Sequence, residues 1–231
     1  MSPADPARPN PTHPPSATHR EVAIHTSDAT LDGFLEVPAG ALGLVLFAHG
    51  SGSSRHSPRN RFVAEVLSEA KIGTLLFDLL TSREGERDAF DRSLRFDIDL
   101  LARRVIGAID WVADQAELAP LPVGLFGAST GAAAALVAAA MRPDRVTAVV
   151  SRGGRPDLAG EALVAVRTPT LLIVGDRDTE VVALNQRARE RAAGPMELAL
   201  VPGATHLFEE PGALERVASL AAGFFRRTFA R

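Results

Sequence analysis

Ser129 lies at the centre of Gly127-Ala128-Ser129-Thr130-Gly131 in a chain that has no cysteine to compete with it as a nucleophile. A serine hydroxyl attacks poorly until a base removes its proton and a further group orients that base. Two carboxylates, Asp176 and Asp178, and then His206 follow it in the chain. That order of serine, acid and histidine is the one in which a relay is strung along successive strand ends of an open sheet. The expected chemistry is nucleophilic attack by Ser129 with His206 as general base.

Such a set works only if the elements bring it together. Val123-Gly124-Leu125-Phe126, introduced by Pro122, reads as a short buried strand. Ala132 to Met141 reads as a helix stopped by Pro143. Ser129 therefore sits in a sharp strand-to-helix turn, where chain passing close by calls for glycine, which has no Cβ to clash. Asp176 and Asp178 follow the apolar run Leu171-Leu172-Ile173-Val174-Gly175. His206 follows Leu198-Ala199-Leu200-Val201, ahead of the last helix.

The rest of the chain has the same rhythm. Glu21 to Thr26 and Leu31 to Val37 alternate around a turn at Ser27-Asp28, predicting an antiparallel hairpin at a sheet edge. Leu42 to Ala48, Thr74 to Phe77, Val146 to Val150 and Glu197 to Val201 are further runs of the kind found in strands buried on both faces. Helices are expected over 60–70, 97–115, 131–141, 157–166, 179–193 and 214–229. Alternating strands and helices predict an α/β fold with a mostly parallel sheet, helices on both faces and ligands at the carboxyl ends of the strands. Residues 1–20 form a proline-rich tail expected to be disordered, and 21–231 a single domain.

Composition removes several function classes. A net charge of -3 with arginines scattered among acids argues against a nucleic-acid partner. No apolar run reaches the roughly 20 residues of a membrane span, and residues 1–20 lack the apolar stretch of a secretory signal. A cytoplasmic protein without a membrane partner is the expectation. Without cysteine there are no disulfides and no thiolate metal sites. Asp176, Asp178 and Glu180 are spaced like the start of a calcium loop but lack its later glycine and glutamate, so neither metal nor cofactor is expected.

Four segments carry a family resemblance: Phe47-Ala48-His49-Gly50-Ser51-Gly52, Gly127-Ala128-Ser129-Thr130-Gly131, Gly175-Asp176-Arg177-Asp178-Thr179-Glu180-Val181 and Pro202-Gly203-Ala204-Thr205-His206. Together they resemble the α/β-hydrolase superfamily, and within it the small, lidless dienelactone-hydrolase-like branch. The resemblance spans about Glu21 to Arg231. It departs at one place, since dienelactone hydrolases proper use a cysteine where this chain has Ser129. The family pattern implies Asp178 rather than Asp176 as the triad acid. It also implies an acyl-enzyme on Ser129 that water releases, with the amides of Ser51 and Thr130 as the oxyanion hole. The resemblance implies that His49 hydrogen-bonds locally and shapes that loop, with a direct chemical role as the alternative.

The expected substrates are small carboxylic esters or lactones, because only one short helix fits between Val150 and Thr170, where lidded members insert a cap. A thioesterase or acyltransferase with the same triad is the alternative within enzymes. A non-catalytic binding protein of the same fold is the alternative outside them. The polar stretch Ser51 to Asn60 is a candidate substrate wall, and Arg55, His56 and Arg152 are candidate substrate-binding residues. Arg152 and Arg155 could hold a substrate carboxylate or phosphate, or instead pair with Asp157 or Asp78. Phe34, Phe47, Phe90 and Phe208 are candidate walls. A small-molecule ester, lactone or thioester is the expected partner, with a homodimer left open.

Overall fold

The computed structural model describes residues 18–230, with side chains from Arg20 onward. The tail predicted over 1–20 lies outside the described residues except for its last three, which open the first strand. The strands are β1 (Thr18–His25), β2 (Thr30–Val37), β3 (Leu44–Ala48), β4 (Gly73–Phe77), β5 (Val123–Ala128), β6 (Val146–Arg152), β7 (Thr170–Gly175) and β8 (Met196–Val201). The α-helices are α1 (Pro58–Glu69), α2 (Ser82–Asp91), α3 (Ile98–Asp114), α4 (Thr130–Met141), α5 (Ala162–Ala165), α6 (Thr179–Arg191) and α7 (Ala213–Phe229).

The strands form one sheet in the order β1-β2-β4-β3-β5-β6-β7-β8. β1 pairs antiparallel with β2, and β2 with β4, while the pairs from β4 through β8 are parallel. Alternation along the strands divides the core into two layers. Leu44, Leu46, Val123 and Leu125 point toward α3 and α4. Val45, Phe47 and Phe126 point toward α1 and α7. The alanines of α4 are buried nearly all round, which lets that helix lie close against the strand it follows.

Four expectations change. β8 is the sheet's edge rather than an interior strand, so most of its residues are partly exposed. The helix predicted over 157–166 is broken into a 3-10 turn, Pro156–Ala159, and the single turn of α5, with Gly160 at φ +57° between them. No helix was expected where α2 stands, because it is strongly polar and buries only Asp88. Its signature was present nevertheless: Thr81 and Glu84 form a reciprocal capping box. Finally, Phe47 and Phe208 are core residues and Phe90 is 94% exposed, so none of these three walls a site. No described helix is long and apolar enough to cross a membrane.

Candidate active site

Ser129 leaves β5 with φ 50° and ψ -119°, a conformation that an L-residue holds only when its surroundings impose it. The surroundings are backbone. A Cβ at Gly127 would stand 2.4 Å from Ala132 Cα, and one at Gly131 would stand 2.2 Å from Ala48 O and 2.4 Å from His49 O. The first turn of α4 is thus pressed against the end of β3, which only glycine permits. A Cβ on Gly50 would come within 3.3 Å of Ser129 Cβ, so the loop after β3 passes directly beside the serine.

That loop is fastened from behind by His49. Its Nε2 accepts from the Leu79 amide at 3.0 Å and its Nδ1–H donates to Gly50 O at 3.0 Å. Burial lowers the pKa of His49 from its ordinary value, outweighing the Gly50 carbonyl and Asp78, so the ring is neutral. The amides of Ser51 and Thr130 make no hydrogen bond to any described residue.

The loops after β7 and β8 are knitted together. Asp176 Oδ1 accepts from the Gly203 amide at 2.7 Å, and the Arg177 amide donates to Ala204 O at 3.1 Å. Gly175 runs so near Ala204 that a Cβ there would lie 2.3 Å from its carbonyl oxygen. On this scaffold His206 Nδ1–H donates to Asp178 Oδ2 at 2.7 Å, leaving Nε2 as the basic nitrogen. The two acids that the sequence leaves open therefore differ in what they touch: Asp178 holds the imidazole, and Asp176 holds a loop.

Ser129 and His206 line one cavity of about 220 Å³, together with Ser51, Ser53, Asn60 and Arg152. No hydrogen bond joins the Ser129 hydroxyl to His206. Arg152 follows the expectation only in part. It ends β6 beside Ala128, lines this cavity and has no ion pair among the described residues, whereas Arg155 is held by Asp157 in a two-pronged pair at 2.9 and 2.7 Å. Arg55 and His56 do not line it. The Arg55 guanidinium and amide bind Asp78, its cation lies 5.2 Å above the Phe34 ring, and His56 meets that ring in a T-shaped contact. Asp78 captures Arg55, and Phe34 holds both side chains over β2.

A second cavity of about 270 Å³ lies on the other side of the Gly50–Ser54 loop, walled by Gly85, Asp88 and Ala89 of α2 and by Arg95. Asp88 anchors this wall: its carboxylate accepts from the Leu94 and Arg95 amides at 2.8 and 2.9 Å and from Arg95 Nε at 2.7 Å. Among the described residues no group of three or more His, Cys, Asp or Glu side chains gathers as a metal ion would require.

A family model described as an alpha/beta hydrolase domain matches residues 41–219. The crystal structure of dienelactone hydrolase from Anabaena variabilis is 56% identical, with a TM-score of 0.90 over 92% of this chain and 98% of that one. Est1E from Butyrivibrio proteoclasticus, at 17% identity and a TM-score of 0.75 over 91% of this chain and 99% of its own, shares the fold. A Mycobacterium tuberculosis (strain H37Rv) protein named "Putative phosphoribosyl transferase" is 58% identical over 211 residues, which are 91% of this chain but 47% of that protein. The chain spans about half the length of the curated relatives it matches at that identity. On the family match and the Anabaena likeness together, the chain belongs to the α/β-hydrolase family and is dienelactone-hydrolase-like.

Proposed function

We propose that the chain is a serine hydrolase that cleaves small carboxylic esters or lactones through an acyl-enzyme on Ser129. One observation carries this reading: Asp178 grips His206 Nδ1 at 2.7 Å beside a cavity that Ser129 enters in a strained backbone conformation. His206 Nε2 takes the proton of Ser129, the serine oxygen bonds to the acyl carbon, and the leaving oxygen departs with that proton. Water then reacts by the same path in reverse roles. Asp178 fixes the tautomer and stabilises the imidazolium. The unengaged amides of Ser51 and Thr130 suit the oxyanion, where a single donor is worth about 100- to 1000-fold in rate.

Serine, asparagine and arginine walls favour short polar substrates over long acyl chains. The phosphoribosyl transfer in the relatives' name belongs to proteins of which this chain matches less than half, and we assign none of it to this site.

Exposure to a fluorophosphonate, read by intact mass, tests the proposal. The parent gains one adduct and Ser129→Ala gains none. A folded parent that stays unlabelled would overturn it.

A further inference from the structure

Arg152 is 9% exposed, its Nε is buried without a hydrogen-bond partner, and among the described residues no carboxylate pairs with it. Nothing in the triad chemistry uses it, although its backbone carbonyl accepts from the Ser129 amide at 3.2 Å. A guanidinium taken out of water with no counter-charge destabilises the fold, so a fold that keeps one needs something to offset it.

The charges around it deepen the imbalance. Arg59, on the first turn of α1, lines the same cavity, and its own Nε is also buried without a partner. Among the described residues its one ion pair is a 3.3 Å contact with the exposed Glu209. Burial first, and then the nearby positive charge of Arg59, draw the pKa of Arg152 down to about 10, which still leaves it cationic at neutral pH. Two cations therefore share a cavity whose lining holds no carboxylate. Beside them Asn60 is 2% exposed, with Oδ1 unpartnered.

We propose, resting on the serine-hydrolase reading above, that Arg152 and Arg59 form an anion subsite, and that the ester attacked by Ser129 carries a phosphate group. A phosphate monoester dianion matches two guanidiniums in charge, and its oxygens match their donor geometry. Ser51, Ser53 and Asn60 supply hydrogen-bonding partners for a hydroxylated body. The phosphate is a handle only. The ester C–O bond breaks, the Ser129 proton leaves with the alcohol, water supplies the second oxygen of the released acid, and no P–O bond changes.

The test uses the acetyl esters of glycerol 3-phosphate, glyceric acid and glycerol, followed by acetate release. The phosphate ester is expected to exceed the neutral ester by about 100-fold in kcat/KM, the scale of a buried charge pair. Arg152→Met is expected to collapse that ratio, and Arg152→Lys to restore part of it. Inorganic phosphate, titrated calorimetrically into the parent, is expected to bind and to inhibit competitively, with acetate much weaker; this arm does not depend on a variant folding. Equal rates on the phosphate and neutral esters, or an Arg152→Met loss that is the same for both, overturn the proposal. A preference for the glycerate ester overturns the phosphate assignment. Fluorophosphonate labelling without phosphate binding sinks the subsite and spares the hydrolase. Phosphate binding without labelling sinks the hydrolase reading and, with it, the ester.

Discussion

His49 joins the loop after β3 to the chain after β4: its Nε2 accepts from Leu79 N at 3.0 Å while its Nδ1–H holds Gly50 O. The bond exists only for the neutral ring, because a protonated Nε2 has no lone pair to offer. Burial lowers the folded pKa of His49 below 6.5, so the unfolded chain binds this proton at a higher pH than the folded chain does. Its contribution is complete above pH 6.5 and is lost as the pH falls from 6.5 toward the lowered folded value, at up to about 1.4 kcal/mol per pH unit. Urea midpoints measured from pH 7.5 to 5 should show that slope in the parent and a shallower one in His49→Gln.

Asp178 and Asp176 stand two residues apart with different partners, and substitution should separate them. Asp178→Asn leaves a similar shape but favours the wrong imidazole tautomer, with an expected fall in kcat of about 10,000-fold. Asp176→Asn weakens the bond to Gly203 N and should lower stability by about 1 kcal/mol while kcat stays within a few-fold. Esterase kinetics alongside thermal melts distinguish the two; equal losses of kcat would refute the assignment.

Gly131→Ala should fail to give a native fold or cost more than about 4 kcal/mol. Its Cβ would meet the carbonyl oxygens of Ala48 and His49, which belong to a buried strand end and cannot swing aside. Gly40→Ala is the contrast: it is open to solvent, and its cost comes only from φ +70°. Circular dichroism and urea unfolding of the two variants provide the comparison.

Asp88 makes α2 sensitive to acid. Burial alone would raise its pKa, but the Arg95 and Leu94 amides and the Arg95 guanidinium together hold it below the ordinary value. Its stabilisation is therefore present above about pH 3.8 and disappears as the pH drops through the lowered folded pKa. Asp88→Ala should speed proteolysis within 82–97 by about tenfold at neutral pH, with global unfolding changed much less. Because Arg95 also backs Gly52, activity on small esters should fall in the same variant.

Residues that act through local backbone geometry or chain order were legible from sequence. The glycines around Ser129 announce a turn that only glycine allows. The alternation of buried runs with helical spacing defines the parallel sheet, because both periods are local properties of the chain. The order of Ser129, Asp178 and His206 follows because each ends a strand of that sheet. What lies between charged side chains was another matter. That Asp78 captures Arg55, and that nothing among the described residues captures Arg152, depends on distances between strand ends and loops far apart in sequence, whereas the Arg155–Asp157 pair spans only two residues and was among the expectations. The same holds for β8, whose apolar run resembles an interior strand and whose edge position is set only by where the sheet stops. Sequence determined which backbone turns this chain has and where Ser129 sits among them; tertiary structure decided which charges are neutralised, and thereby which one is left facing the cavity.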